Sequence, residues 1–436
     1  MSTSRISRVA LAVAVISLLL ATAPSVAAHV APSMGASERA PAAISGVSVH
    51  YTIPLGKEPS GLAYDPTNFD VYISNEGSNN VTVISSTAHT HSSIPVGKSP
   101  AAVTYNPYNG DLYVPNLNSS NVSIISGSTN KVIANPSLGA HSAPGLAAFD
   151  PASGNMLVLN RSASLGTGVG WMIANGTNAV TKLTFGSETI PTYAYNPASK
   201  DLYIPNALSG TVSIVSGTGT VSSVKVGGFP EFVEVNPANN DTYVLPTTTT
   251  GKGLNITALS SANKIVKTIV VSTVNSVLAN AISTNYDPST KELYFVGYNS
   301  TSNRTSAVVL TSTNTVAATI AIGKVVGGLV YYDPANGDLD APTLSKTIVV
   351  LSGTSIAKTL TVKQPVPVLV YDPTLKEMVG AGDVNMSTVS ILYLISSANA
   401  VSSLKVGKYA IAPFYDPKDT YVYVVNIGSR TAELVG

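Results

Sequence analysis

The sequence predicts an all-β fold, a β-propeller of nine four-stranded antiparallel blades, and three observations predict it. A turn phrase recurs nine times at near-constant spacing, the segments between its copies alternate apolar and polar residues, and the 3.6-residue apolar repeat of an amphipathic helix is missing throughout. Composition narrows what remains. The 436 residues include no Cys, which excludes disulfides, thiolate catalysis and Cys-bound zinc or iron–sulfur centres. Charged residues make up 11% and hydrophobic residues 44%, a balance that argues against disorder and against a coiled coil. A formal net charge of +1 without a basic block removes the electrostatic basis for nucleic-acid binding, so no nucleic-acid partner is expected.

The first segment reads as an export signal. Arg5 and Arg8 precede an apolar run from Val9 to Leu20, and small residues follow to Ala28. Residues 1–28 are expected to be a signal peptide cleaved after Ala28. The alternative is a retained anchor, but the run is short for a span of about 20 residues. Residues 29–45, rich in Ala, Ser and Pro, read as a flexible leader. Residues 46–436 are expected to form a single propeller, with no membrane span after cleavage. The expected setting is secreted or cell-surface.

The recurring phrase is an aromatic or apolar residue, then Asp or Asn, then Pro. It runs from Tyr64-Asp-Pro66 through Tyr105-Asn-Pro107, Phe149-Asp-Pro151, Tyr195-Asn-Pro197 and Val235-Asn-Pro237. It continues through Tyr286-Asp-Pro288, Tyr332-Asp-Pro334 and Tyr371-Asp-Pro373 to Tyr415-Asp-Pro417, with the prolines 39 to 51 residues apart. The side chains of Asp65, Asn106, Asp150, Asn196, Asn236, Asp287, Asp333, Asp372 and Asp416 can each accept from backbone N–H groups and start a tight turn. Proline then fixes φ near −65° at the next position.

Each unit repeats one internal plan. A short apolar strand enters the phrase, as in Ala101-Ala-Val-Thr-Tyr105, and a second strand follows it, as in Leu112-Tyr-Val114. A third strand alternates, as in Asn121-Val-Ser-Ile-Ile125, and a fourth often ends in Val-Gly, as at Ile94-Pro-Val-Gly97. Four short strands per 40–50 residues describe a propeller blade, whose apolar faces need like neighbours to cover them.

The last unit, from near Tyr409 to Gly436, holds only three strands, while Val47 to Gly56 at the start resembles a fourth strand. The N-terminal strand is therefore expected to complete the last blade and close the ring, removing two exposed sheet edges. Nine blades follow from the count. An eight-bladed ring with one aberrant insert is the alternative, because units three, five and seven depart from the pattern around Trp171, Thr247–Thr250 and Asp338–Ala341. A Tyr stands seven residues after the turn residue at Tyr72, Tyr113, Tyr203, Tyr243, Tyr294 and Tyr423, where Leu157, Asp340 and Val379 stand in the other units. At a fixed blade position this stripe reads as inter-blade packing with the hydroxyl bonded, in preference to a ligand platform.

The stretches Asp70-Val-Tyr-Ile-Ser-Asn75, Asp111-Leu-Tyr-Val-Pro-Asn116 and Asp201-Leu-Tyr-Ile-Pro-Asn206 resemble the signature of YVTN-type β-propeller repeats, and Tyr423-Val-Val-Asn426 keeps part of it. Units five to eight carry Pro246, Gly297, Thr343 and Gly382 in place of the signature Asn. That family includes surface-layer-like and secreted proteins, so the resemblance implies a fold and a cell-surface setting, and no chemistry.

Residues able to carry chemistry are few in this sequence. The histidines are His29, His50, His89, His91 and His141. His89 and His91 could start a metal site, but no third ligand is identifiable, and Asp338 with Asp340 could take calcium. Phosphate-binding and dinucleotide fingerprints are missing from the sequence, as is any nucleophile–His–acid set. No catalytic residue, cofactor or metal ligand set is therefore assigned. Sequons begin at Asn80, Asn118, Asn121, Asn160, Asn175, Asn240, Asn255, Asn299, Asn303 and Asn385, close to what composition alone gives, and they permit glycosylation on an exported chain.

The function expected is a secreted or cell-surface binding or structural module for envelope protein or glycan, meeting an extracellular protein or carbohydrate through Ser, Thr, Asn and Tyr. The alternative is an extracellular lyase or hydrolase with its site in the central channel. The charge-poor surface also suits acidic surroundings, with folding expected to persist from pH 7 to 2.

Overall fold

The computed structural model describes residues 46–161, 167–247, 254–271, 280–299, 304–323, 329–382 and 389–436. The expected signal peptide and leader lie outside the described residues. Among the described residues all regular structure is β: thirty-six strands, from β1 (Val49–Pro54) to β36 (Thr431–Val435), in nine four-stranded antiparallel sheets. No helix among the described residues is long and apolar enough to cross a membrane.

Eight sheets are built from four consecutive strands each. Blade 1, for example, comprises β2 (Pro59–Asp65), β3 (Asp70–Asn75), β4 (Asn80–Ser85) and β5 (His91–Pro95). The ninth sheet has the order β1-β36-β35-β34, with β34 at Ala410–Tyr415 and β35 at Val422–Asn426. The N-terminal strand thus supplies the outermost strand of the last blade, in the antiparallel register Thr52↔Glu433 and Ile53↔Ala432. The first strand of each blade is innermost, and these strands touch from blade to blade.

The core is divided into nine apolar clusters, one at each blade interface. That number decides between open and closed arrays, because nine blades in an open row would share only eight interfaces. The ninth cluster joins the last blade to the first: Ile53, Tyr423, Val425 and Leu434 pack against Val71, Ile73 and Ile84. Apolar faces on both sides of each sheet are covered by the next sheet, which is why strand residues such as Val71, Tyr72 and Ile73 are buried on both faces.

The turn phrase has one geometry in all nine blades. The Oδ1 atoms of Asp65, Asn106, Asp150, Asn196, Asn236, Asp287, Asp333, Asp372 and Asp416 each accept the backbone N–H two residues on, at 2.8 to 3.0 Å. All nine side chains are buried.

The Val-Gly ending also has a local cause. A Cβ on Gly97 would lie 2.7 Å from the Asn116 Cβ, and one on Gly56 would lie 2.7 Å from the Asn75 Cβ. These asparagines are fully buried, and each donates its amide to a third-strand hydroxyl, Asn75 to Thr82 and Asn116 to Ser123. The Asn of strand two and the Gly that enters the blade therefore form one packing unit.

Candidate functional site

The central channel is the place where a ring of this kind would bring groups from all blades together. Its wall is made by nine innermost strands, among them β2, β34, β6 (Thr104–Asn106), β18 (Phe229–Val235), β22 (Asn280–Asp287) and β26 (Tyr331–Asp333).

Much of the polar chemistry on these strands and their entry segments ties one blade to the next. The Ser60 hydroxyl donates to the Pro100 carbonyl (3.2 Å), Thr104 to Ala147 (2.9 Å) and Thr192 to Glu231 (3.1 Å). The Asn285 amide donates to the Val330 carbonyl (2.8 Å). Glu234 on β18 accepts the Thr284 hydroxyl (2.7 Å), and burial raises its carboxyl above the usual range while that bond opposes the rise.

At the ends of the innermost strands stands a girdle of phenols. Burial, and then the turn carboxylate of the preceding blade, raises the hydroxyls of Tyr64 (against Asp416), Tyr105 (against Asp65), Tyr195 (against Asp150) and Tyr371 (against Asp333). Tyr415 bonds Thr374 of the preceding blade (2.8 Å). The aromatic residue of the turn phrase thus meets the turn of its neighbour, a second reason for the phrase to repeat.

Further out lies a second set of ties, between the Tyr of strand two and the turn that joins strands three and four in the next blade. Tyr72 donates to Asn130 Oδ1 (2.5 Å), and Asn130 Nδ2 donates to Asp70 (2.8 Å). Tyr203 and Asp201 hold Asn263 in the same way, and Tyr243 and Asp241 hold Asn314. Tyr294 donates to the Gly353 carbonyl (2.9 Å). All six tyrosines of this stripe are fully buried. The clamped asparagines take φ of 54 to 62°, a left-handed conformation that Asn tolerates. Sequence reasoning did not single out Asn130, Asn263 or Asn314; their signal is an Asn closing a Ser/Thr-rich turn, as in Ser126-Gly-Ser-Thr-Asn130.

At the seam between blades 9 and 1, His89 takes the place of that Asn. Its Nε2 lies 3.4 Å from Asp419, which also accepts the Tyr423 hydroxyl (2.7 Å). Tyr51 of β1 stacks on His89 with ring centres 4.1 Å apart, and His50 lies 5.1 Å from the Tyr421 ring. His91 is exposed at the start of β5, and His141 is exposed between blades 2 and 3. No described histidine lies on an innermost strand. Among the described residues no group of three or more His, Asp or Glu is arranged to hold a metal ion.

Of the sequon asparagines, Asn118, Asn240 and Asn255 are exposed. Asn80, Asn121, Asn160 and Asn175 are partly buried with side chains already bonded. Asn299 ends β23 (Glu292–Asn299), while Asn303 and Asn385 lie outside the described residues. A groove of about 350 Å³ on the outer rim is lined by Ser93, Ile94, Pro95, Asn130, Lys131 and Val132.

The sequence matches no family model and no curated protein. Among solved structures it is similar to the dihydro-heme d1 dehydrogenase NirN, with 12% identity, a TM-score of 0.56, and coverage of 82% of this chain and 78% of that one. It is likewise similar to a eukaryotic initiation factor, with 10% identity, a TM-score of 0.56, and coverage of 79% and 87%. Virginiamycin B lyase from Staphylococcus aureus matches at 13% identity and a TM-score of 0.44, over 70% of this chain and 96% of that one. At these identities the likeness to the two structures with a TM-score of 0.56 shows the propeller fold alone.

Proposed function

We propose that this nine-bladed ring is a secreted or cell-surface binding or structural module of the YVTN-repeat kind, contacting envelope protein or glycan without transforming it. One observation carries the reading: polar groups of the innermost strands are engaged in blade-to-blade bonds, and the described histidines sit at the seam or the rim. The charge-poor loops can hydrogen-bond neutral sugars and peptide groups without desolvating ions. The N-terminal segment, Arg5 and Arg8 before Val9–Leu20, supports export, and the exposed Asn118, Asn240 and Asn255 would accept glycans there. Asn75, Asn116, Asn206 and Asn426, buried and bonded within their blades, give the YVTN reading a physical basis.

Glu234 is the observation favouring the enzyme alternative, since it is an acid with a raised pKa on an innermost strand. The test is a binding screen of the chain from residue 29 onward against immobilised envelope polysaccharides, with Glu234→Gln alongside. Saturable binding that leaves the glycan intact, equal in both proteins, supports the module. Depolymerisation of a bound glycan that is lost in Glu234→Gln would replace it with the enzyme.

A further inference from the structure

In most blades the strand-two residue matches what the next blade offers it. Where the facing turn carries Asn130, Asn263 or Asn314, the residue is Tyr72, Tyr203 or Tyr243, a hydroxyl donor for the amide oxygen. Where the turn has a Gly at its left-handed position, with no side chain to bond, the residue is Leu157 facing Gly219, or Tyr294 facing Gly353, whose carbonyl takes the phenol. Blade 9 has no such turn, because its third and fourth strands are the two ends of the chain, and there the residue is Val379, packed with Val435, Val47 and Val49.

Asp340 breaks this rule. It lies in β27 (Asp338–Pro342) of blade 7, paired with Tyr331 on one side and Val350 on the other, and Val350 belongs to the cluster between blades 7 and 8. The facing turn of blade 8 carries Asn399 with φ 58°, the geometry of the clamped asparagines, so a donor is called for. Asp340 is 1% exposed, and neither of its carboxyl oxygens has a hydrogen-bond partner. Asn399 Oδ1 and Asp333 Oδ2 are buried and unpartnered as well. The interface therefore collects acceptors, and the buried Tyr331 hydroxyl across the strand pair donates to none of them.

The charged groups around Asp340 do not relieve it. Its own blade supplies Asp333 and Asp338, Tyr331 across the strand pair, and Lys358 in β29 (Ser355–Thr361), whose exposed ammonium donates to the Asn399 carbonyl (3.0 Å). Blade 8 supplies Tyr371 and Tyr393, with Asp372 and Glu377 at the turn between its first two strands. The ion pairs among the described residues, His89–Asp419 and Arg161–Glu76, both lie elsewhere.

We propose that the interface between blades 7 and 8 is closed by a proton on Asp340, so that this seam is tight in acid and loosens as the pH rises through neutrality. The neutral carboxyl supplies the donor that a phenol supplies in other blades, whereas the ionised form places a charge among acceptors. Burial first, then Asp333 and Asp338, push the Asp340 carboxyl up to about 7, so the change falls near neutral pH. The device is independent of what the ring binds.

The test is urea unfolding of the chain from residue 29 onward between pH 4 and 9, for the wild type, Asp340→Asn and Asp338→Asn. A rise from 3.8 to about 7 corresponds to roughly a thousandfold in the folding equilibrium. The wild type is expected to lose about that factor, relative to Asp340→Asn, between pH 4 and 8, and Asp338→Asn to keep the loss. Parallel profiles for the wild type and Asp340→Asn would overturn the proposal. If Asp340→Asn does not fold, hydrogen exchange of the wild type at pH 6 and 8, corrected for intrinsic rates, decides. Added exchange confined to blades 7 and 8 supports the proton, and a uniform change contradicts it. Recovery of the lost stability by calcium at pH 8 would show a cation site instead.

Discussion

Removing the Tyr203 hydroxyl tests whether the ring is held by clamped turns as well as by packing. The phenol is fully buried, donates to Asn263 and bonds Ser199 at 3.0 Å, while Asp201 accepts the Asn263 amide at 2.9 Å. Tyr203→Phe keeps the ring's apolar contacts and leaves Asn263 Oδ1 short of its donor, which should cost about 1–3 kcal/mol. Asn263 has φ 62°. Its partner substitution is therefore Asn263→Gly, which removes the amide without forcing a Cβ into left-handed backbone. Urea unfolding of the wild type, both single variants and the double variant gives the coupling. The double variant is expected to be less destabilised than the sum by about 0.5–3 kcal/mol. Tyr108→Phe is the control: Tyr108 is 60% exposed, and its change should stay within about 0.5 kcal/mol. Additive single effects, with Tyr203→Phe no worse than Tyr108→Phe, would refute the clamp.

Three further predictions follow from the same geometry. Ile53 is the one fully buried residue of β1 and packs across the seam, so Ile53→Ala should cost about 2–5 kcal/mol and expose the N-terminal strand to protease, unlike Thr52→Ala. Gly97→Ala should cost about 1–3 kcal/mol by pressing on Asn116, and in an Asn116→Gly background, which removes the Cβ it would meet, that added cost should shrink. The carboxyls of Asp70, Asp111, Glu234, Asp333, Asp340, Asp372, Glu377 and Asp416 are all raised, each chiefly by burial. A raised acid binds its proton more tightly in the folded state, so its stabilisation is full below the ordinary carboxyl pKa and fades as pH climbs through the folded value. Thermal unfolding should therefore have a higher midpoint at pH 5 than at pH 8, and loss of folding near pH 4 would contradict this.

The blade count was legible because the turn phrase is local chemistry. An Asp or Asn accepting from the N–H two residues on, followed by Pro, needs no distant partner, so even blade 7, which lacks the strand-two Tyr, keeps Tyr332-Asp-Pro334. The shared last blade was legible from the missing fourth strand. Nothing local marked the clamps, because Tyr72 and Asn130 meet across 58 residues and Tyr243 and Asn314 across 71. The same blindness affects Asp340, which beside Asp338 reads as a calcium pair in sequence yet is buried toward blade 8 in the fold. His89 and His91 read as neighbours, but the turn sends His89 to Asp419 and leaves His91 at the rim. The function was the least legible, since Ser, Thr, Asn and Tyr serve equally as inter-blade ties and as a contact surface.

The absence of cysteine from the chain allows a direct test of ring closure. Thr52 and Glu433 are Cα partners across β1 and β36, near opposite ends of the sequence. A Thr52→Cys, Glu433→Cys variant should oxidise to a single intramolecular disulfide while folded, seen as one cross-linked peptide after digestion under non-reducing conditions. Two free thiols persisting in the folded, oxidised protein would mean that the N-terminal strand does not complete the ninth blade.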